Sequence, residues 1–456
     1  MPRFSKKSSV EYVCQTCGHK SPRWIGRCPE CGGWNTFVEE KVAPEPKRGG
    51  VKVTEKSKPL PLAEIAHEEN ERLRCSSQEF NRVLGGGVVP GSLILIGGDP
   101  GIGKSTLMLQ EAAALARADF YVLYVTGEES ARQTKMRAQR LGIDSHYLFI
   151  LAETNLEIIL DEAEKLQPKL MIVDSIQTMY RSDFESPPGS ISQVRECALA
   201  FLNLAKQRSV PIFLIGHVTK EGYLAGPKAL EHMVDTLLQF EGDRDHFFRI
   251  LRSVKNRFGS TREIGVFEMY EQGLREVSNP SEIFLAQRKE DISGSVVVCT
   301  MEGSRPILVE VQALLTPSSY GLPQRTANGI DIRRLALLLA VIEKRVGLRV
   351  STFDVFVNVA GGVRLEEPAA DLGVVAAVAS SLKNAVVDPQ AVVIGEVGLG
   401  GEIRAVPQID KRLTEAAKLG FKHAIIPKLA TKGLQKPTGM EVVTVEKVEE
   451  ALDRLL

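Results

Sequence analysis

Aromatic side chains are scarce, 6% of the chain with only two tryptophans, so the cores must be mostly aliphatic. Charge of neither sign prevails: Lys+Arg and Asp+Glu both number 57. Overall charge therefore singles out no partner. Spanning a bilayer needs about 20 apolar residues, and no stretch supplies them. Leu372–Leu382 is too short, and the uncharged run Val83–Gly98 is broken by Gly85, Gly86, Gly87, Pro90 and Gly91. The opening MPRFSKKSSVEYVC has cations but no apolar stretch, so no secretory signal is read there and the cytoplasm is the expected compartment. No solenoid repeat is visible. Hydrophobic residues at 43% and charged residues at 25% exclude a wholly disordered chain.

Cysteines are few but clustered: four of the seven fall within residues 14–31. In a reducing compartment, paired cysteines read as metal ligands rather than disulfides. Cys14-x2-Cys17 and Cys28-x2-Cys31 sit in CQTCG and CPECGG, two tight knuckles that each present two thiolates. Together they predict a closed S4 site for structural Zn²⁺, with iron as the rival metal. A segment this short needs the metal in order to fold. Cys75, Cys197 and Cys299 are scattered and read as core residues. Val42–Leu62, rich in Pro, Gly and Lys, reads as a linker. Residues 1–60 carry 12 Lys/Arg and 6 Asp/Glu, a local excess of 12 − 6 = +6, which suits a polyanion or simply a soluble tail.

The expected domains are residues 1–41 (finger), 42–62 (linker), 63–280 and 281–456. In the third, the apolar runs LILI, YVLYV, YLFIL, LMIV and IFLI alternate with helical periodicities such as Leu156, Ile159, Leu160 and Ala163. This predicts an α/β domain with a mostly parallel sheet covered on both faces. HFFRILRSVKN and IGVFEMY follow without helices and predict antiparallel strands at one edge. The last domain is a second α/β unit, with strands SVVVCT, ILVEVQAL, DVFVNVA and VVIGEVGL, helices near Leu335–Val346, Leu372–Leu382 and Lys411–Leu419, and a final αβα stretch.

GGDPGIGKST places a G-x4-G-K-[ST] loop directly after strand LILI and before a helix. Its members Gly98, Asp99, Pro100, Gly101, Ile102, Gly103, Lys104, Ser105 and Thr106 predict a phosphate cradle for ATP. Backbone N–H groups and the helix dipole hold the oxygens, Lys104 reaches the β/γ-phosphates, and Ser105 ligates Mg²⁺. Asp174, ending LMIVDS after 69 intervening residues, takes the second Mg²⁺ role. The strand YVLYVTGEES is expected between these two, with Glu128, ahead of Glu129, orienting the attacking water. The alternative for both glutamates is an acidic turn that favours a helix N-terminus. KNRFG, Lys255–Gly259, suits a pointed loop that presents Lys255 or Arg257 to a neighbour's γ-phosphate or to nucleic acid. Its plain alternative is an exposed basic turn.

With these motifs in this order, the chain resembles the bacterial RadA (Sms) family of DNA repair proteins over nearly its whole length. The resemblance rests on the four-cysteine finger, RVLGGGVVPGSLILIGGDPGIGKST, GEES, LMIVDSIQT, KNRFG and the C-terminal unit. It implies a RecA-like ATPase core in a ring, expected to be hexameric, that acts on single-stranded and branched DNA. It further implies branch migration or strand-exchange extension in partnership with the RecA recombinase. DNA-facing loops would be Thr178–Ser190 and Thr219–Lys228, with Arg181, Lys220 and Lys228 as contacts. The C-terminal unit resembles the proteolytic domain of Lon, whose Ser and Lys positions are matched here by Ala369 in EEPAADLG and Asp410 in PQIDKR, with Lys411 adjacent. Lacking that hydroxyl, it is expected to be a non-proteolytic scaffold, with Arg333, Arg334, Lys344 and Arg345 as candidate duplex-DNA contacts. An ATP-dependent protease and a KaiC-like ATPase that binds proteins are the rival readings.

Overall fold

The computed structural model describes residues 9–14, 18–42, 61, 72–184, 186–216, 228–242, 248–286, 288–289, 291–318, 321, 323–431 and 434–456. The chain divides into two compact units, Met1–Glu276 and Val277–Leu456.

The first unit begins with a small antiparallel sheet. Strand β1 (Ser9–Cys14) lies between β2 (Lys20–Ser21) and β3 (Phe37–Val42). Among its described residues the core cluster is Cys14, Cys28 and Phe37, flanked by Tyr12 and Ile25. So few apolar groups cannot hold a fold alone.

Among the described residues the main sheet has nine strands. β4 (Leu93–Gly98), β5 (Val122–Thr126), β6 (Leu148–Ala152), β7 (Leu170–Asp174), β8 (Ile212–Ile215) and β9 (Thr236–Glu241) are parallel. β10 (Phe248–Asn256), β11 (Ile264–Tyr270) and β12 (Gly273–Glu276) extend one edge antiparallel, as expected. The spatial order is β12-β11-β10-β9-β4-β8-β7-β5-β6.

Side chains alternate across a strand, so a doubly covered sheet needs apolar residues at every position. Ile94, Ile96, Tyr124, Ile172 and Phe213 pack with Leu107, Met108 and Leu109 of the helix Lys104–Leu115. Leu93, Leu95, Leu123, Val125, Met171 and Val173 pack on the opposite face with Val194, Ala198 and Phe201 of the helix Ile191–Arg208. The predicted helix at Leu156 runs Leu156–Leu166. Asn155 caps its start and Gln167, at φ 51°, ends it.

The strand order corrects one expectation, and the chain end, below, corrects another. The strand carrying GEES does not lie between the phosphate-loop strand and the strand ending in Asp174. That place belongs to β8, and β5 pairs on the far side of β7. Chain order suggested otherwise because β8 is the last of the four to be made and inserts between earlier strands.

The second unit is built on a seven-stranded sheet. β13 (Ser295–Glu302) and β14 (Arg305–Pro317) form its central hairpin, β15 (Arg325–Asn328) and β16 (Phe353–Val359) extend one side, and β17 (Ala391–Val393) begins the other. The short pair β18 (Glu396–Val397) and β19 (Ile403–Arg404) stands apart. The chain end is corrected: after the helix Ile409–Lys418 come two parallel strands, β20 (His423–Pro427) and β21 (Glu441–Val445), then the helix Val448–Leu455. The buried small-residue helix Asp371–Lys383 lies against β13 and β14. Among the described residues, no helix is long and apolar enough to cross a membrane.

Candidate nucleotide site and its surroundings

The loop after β4 turns through glycines in conformations other residues rarely adopt, with φ of +153° at Gly98, +80° at Gly101 and +116° at Gly103. A Cβ on Gly98 would lie 2.9 Å from Phe240 Cβ, whereas around Gly101 nothing lies within 4 Å. The loop is thus tight against the sheet and open at its tip, the shape a phosphate cradle requires. Asp99, Pro100 and Gly101 are exposed, Ile102 and Gly103 are buried, and Ser105 and Thr106 are half-buried at the start of the following helix. Lys104 is 3% exposed, and its Nζ donates to the carbonyl oxygens of Gly98 (2.8 Å) and Asp99 (2.9 Å). Burial pushes its pKa down to about 8, against the attraction of Asp174, Glu128 and Asp99.

At the end of β7, Asp174 Oδ2 accepts the Tyr124 hydroxyl at 2.6 Å, while Oδ1 is buried with no hydrogen-bond partner. An unmatched carboxylate oxygen beside a phosphate loop suits a divalent cation or its water shell, so the residues fit Mg²⁺. Burial, together with Asp174's charge and hydrogen bond, holds the Tyr124 phenol well above its ordinary pKa, so it is a fixed donor. Ser175 donates to Glu128 Oε1 at 2.5 Å, which brings Glu128 to the end of β7. Glu128 is exposed, whereas Glu129 is half-buried and paired with Arg137. Gly127 is crowded by Thr178 and Thr154, so the turn that presents Glu128 has no room for a side chain there.

KNRFG closes β10 at the other end of the sheet. Asn256 pairs with Thr236, which pairs with Ile94, four residues before Gly98. Four strand residues span about 13 Å. Both cations are held inside their own chain. Lys255 Nζ donates to the carbonyl oxygens of Glu231 (2.6 Å) and His232 (3.4 Å), and Arg257 Nη1 pairs with buried Asp235 at 3.3 Å. Asp235 also accepts the Leu93 amide and Lys206 Nζ. Asn256 bonds the Leu84 carbonyl, and Gly259 lies against Gly85, which fastens the loop to the RVLGGG stretch.

Arg181, in the loop after β7, is engaged by Asp183 and lies 5.1 Å over the Phe184 ring. Lys220 lies outside the described residues, and Lys228 begins the helix Lys228–Met233.

In the finger, the two knuckles repeat one geometry. The Gly18 amide donates to the Cys14 carbonyl (2.8 Å) and the Gly32 amide to the Cys28 carbonyl (2.9 Å), with the glycines at φ +76° and +73°. The sulfurs of Cys14, Cys28 and Cys31 lie within 4.8 Å of one another, and Cys14 and Cys31 are 3.7 Å apart. A tetrahedron with Zn–S near 2.3 Å has edges of about 3.8 Å, so the donor set fits zinc. Cys17 lies outside the described residues.

In the second unit, Ala369 is 1% exposed in the turn Pro368–Ala370, among Val297, Leu308, Ile409 and Leu413. Asp410 and Lys411 are exposed. The buried cation is instead Arg412, fully enclosed, with Nη1 on Glu367 Oε1 (2.5 Å) and on the Cys299 carbonyl (2.6 Å). The sequence reading missed this pair, as it missed Tyr124, Ser175 and Asp235. Only Arg412 left a signal, a third charge in the run DKR. Arg333 and Arg334 line a cavity of about 800 Å³, and Arg334 is paired with Asp371. Lys344 and Arg345 are exposed.

Fold and site together define a RecA-like P-loop ATPase core with an N-terminal zinc ribbon and a ChlI/Lon-like C-terminal region. The family described as AAA domain matches residues 59–223, that described as Rubredoxin metal binding domain matches 12–39, and that described as Subunit ChlI of Mg-chelatase matches 320–430. DNA repair protein RadA of Bacillus subtilis (strain 168) is 55% identical over 450 residues, covering 98% of each chain. DNA repair protein RadA of Listeria monocytogenes serovar 1/2a is 51% identical over 451 residues, covering 99% of each. The chain belongs to the RadA family of DNA repair proteins. Among solved structures, the KaiC-like protein PH0186 from Pyrococcus horikoshii OT3 is 20% identical, covers 45% of this chain and 98% of its own, and has a TM-score of 0.39.

Proposed function

We propose that the protein is a DNA-stimulated ATPase that processes single-stranded and branched DNA during recombinational repair in the cytoplasm, as a hexameric ring working with the RecA recombinase. The observation that carries the catalytic part is the cluster Glu128–Ser175–Asp174–Tyr124 beside Lys104, which feels the charge of both carboxylates. Lys104 and the loop from Gly98 to Thr106 bind the triphosphate. Ser105 and Asp174 hold Mg²⁺, which neutralises phosphate charge when bound. Glu128 orients the water and accepts its proton. Lys255 and Arg257 sit too far along the sheet to reach their own chain's phosphate loop, which supports their action on a neighbouring subunit's nucleotide or on DNA.

Arg181, Lys220 and Lys228 are the proposed DNA contacts. The second unit is proposed as a scaffold without proteolytic activity, because acyl transfer needs a nucleophile and Ala369 offers none. The experiment is ATP hydrolysis with and without single-stranded DNA at low salt, where phosphate contacts are strongest. The expected result is stimulation by DNA and loss of hydrolysis in Lys104→Ala. A rate indifferent to DNA would overturn the motor reading.

A further inference from the structure

The finger has a second feature besides its sulfurs. The two tryptophans of the chain, Trp24 and Trp34, both lie on it and both are exposed, at 52% and 70%. Burying an indole is strongly favourable, and a domain with so small a core has reason to use every apolar ring it owns. Instead the core takes Phe37 and leaves both indoles outside.

They are placed together. A Cβ built on Gly26 would lie 3.7 Å from Trp24 Cη2 and 4.0 Å from Trp34 Cζ3, so the two rings flank one side-chain-free stretch of backbone. The Arg27 guanidinium lies 5.9 Å over the Trp34 ring, and its Nε donates to the Gly32 carbonyl at 3.4 Å. The Arg27↔Trp34 bridge and the Asn35 amide bonded to the Gly26 carbonyl (2.7 Å) fix the turn beneath. The segment that carries both rings also holds Lys20, Arg23 and Arg27, all exposed, with Glu30.

We propose that Trp24 and Trp34 form a base-stacking platform by which the zinc finger binds single-stranded nucleic acid, with Lys20, Arg23 and Arg27 facing its phosphates. Exposed aromatic faces beside cations are the recurring chemistry of sequence-tolerant single-strand binding. A protein partner would also value exposed indoles. Local charge favours the polyanion, because Arg27 lies over the Trp34 ring and Arg23 directly precedes Trp24 in the chain. Zinc, when bound by the knuckle cysteines, would act at a distance by holding the turns that set the ring positions. The proposal rests on the reading that this protein works on DNA, but it places a contact on a part of the chain that the ATPase site does not need.

The test uses the full chain, zinc-loaded. Since both tryptophans are in the finger, emission excited where only tryptophan absorbs reports on this surface alone. Two probes are compared, an oligo(dT) and an oligomer of the same length with abasic sugars throughout. The expected result is quenching by oligo(dT), little by the abasic strand, and about tenfold to a hundredfold weaker oligo(dT) binding in Trp24→Ala/Trp34→Ala. Zinc content should be unchanged, and Trp24→Phe/Trp34→Phe should restore most of the affinity. If oligo(dT) binds, by anisotropy, with unchanged emission and unchanged affinity in the double alanine variant, the platform is overturned while the DNA-motor reading stands. Quenching by the purified recombinase but not by either oligomer would overturn it in favour of a protein-docking face. Absence of any DNA binding at low salt would remove both readings together.

Discussion

Glu128 and Ser175 are joined by a 2.5 Å hydrogen bond, hydroxyl to carboxylate, between the ends of neighbouring strands β5 and β7. The bond sets Glu128 beside Asp174 and leaves Glu129 to pair with Arg137 on the following helix. The two adjacent acids should therefore behave differently. Glu128→Gln is expected to lower kcat by about 10²-fold or more, the usual scale of a lost general base, with ATP binding retained. Glu129→Gln should change kcat little. Ser175→Ala should fall between them, since it frees the carboxylate without removing it. Steady-state rates alongside ATP dissociation constants check this, and equal losses in both glutamate variants would reverse the assignment.

Tyr124 should tune the metal requirement. Its hydroxyl is the one described hydrogen-bond donor to Asp174 Oδ2. In Tyr124→Phe that buried oxygen loses its partner, which costs about 1–3 kcal/mol. The hydroxyl also fixes the carboxylate's orientation, and without it both oxygens are free to turn away from the phosphate loop. The variant should need more Mg²⁺ for half-maximal hydrolysis and approach wild-type kcat at saturating Mg²⁺. A lowered kcat with an unchanged Mg²⁺ profile would mean that the tyrosine only packs.

Lys104 sets a pH limit. Its pKa falls from 10.5 to about 8 because burial disfavours the ammonium. Below about pH 8 it is charged in both native and unfolded chains and adds no pH dependence. Between about 8 and 10.5 the unfolded chain binds the extra proton, so this group's contribution to stability rises with pH. ATP binding runs the other way. A triphosphate favours the ammonium, so binding above pH 8 must take up a proton and affinity should fall by up to about tenfold per pH unit. Calorimetric titrations in buffers of different ionisation heat would detect the proton, and Lys104→Arg should abolish its uptake.

The finger offers a metal test. Cys14→Ser and Cys17→Ser should each release the zinc and unfold residues 9–42, while the ATPase core keeps its cooperative melting transition. Cys75→Ser, at a buried thiol of the ATPase core, should keep the metal. Zinc release by a colorimetric chelator measures this. If Cys17→Ser keeps its metal at full affinity, the fourth ligand is not that cysteine.

What the sequence made legible was whatever depends on local pattern. The phosphate loop, the knuckles and the strand-length apolar runs all lie within a dozen residues of chain, where spacing dictates geometry. The place of β5 beyond β7 was not legible, because β8 inserts between β4 and β7 only in three dimensions. Tyr124 looked like one more apolar strand residue. Its hydroxyl matters because Asp174, 50 residues on, comes to rest beside it. Arg412 hid beside the exposed Asp410 and Lys411, and only the folded second unit reveals that Glu367 and the Cys299 carbonyl enclose it.

The position of KNRFG gives the sharpest prediction about assembly. Arg257 stands on Asp235 near the beginning of β4, while the phosphate loop is at its end, so one chain's Arg257 cannot serve that chain's nucleotide. If it serves a neighbour's, two inactive proteins should complement each other. A ring that mixes Lys104→Ala with Arg257→Ala subunits contains interfaces where an intact phosphate loop from the second faces an intact Arg257 from the first. In a random equal mixture of a head-to-tail ring, roughly a quarter of interfaces have this pairing. Mixing followed by subunit exchange should raise ATP hydrolysis from near zero toward that fraction. Arg257→Ala should still bind ATP alone, and buried Asp235 keeps the Leu93 amide and Lys206 as partners, which limits the stability lost with Arg257. No recovery, despite exchange verified by differently tagged chains, would place Arg257 on DNA or in the folding of its own loop rather than at a neighbour's phosphate.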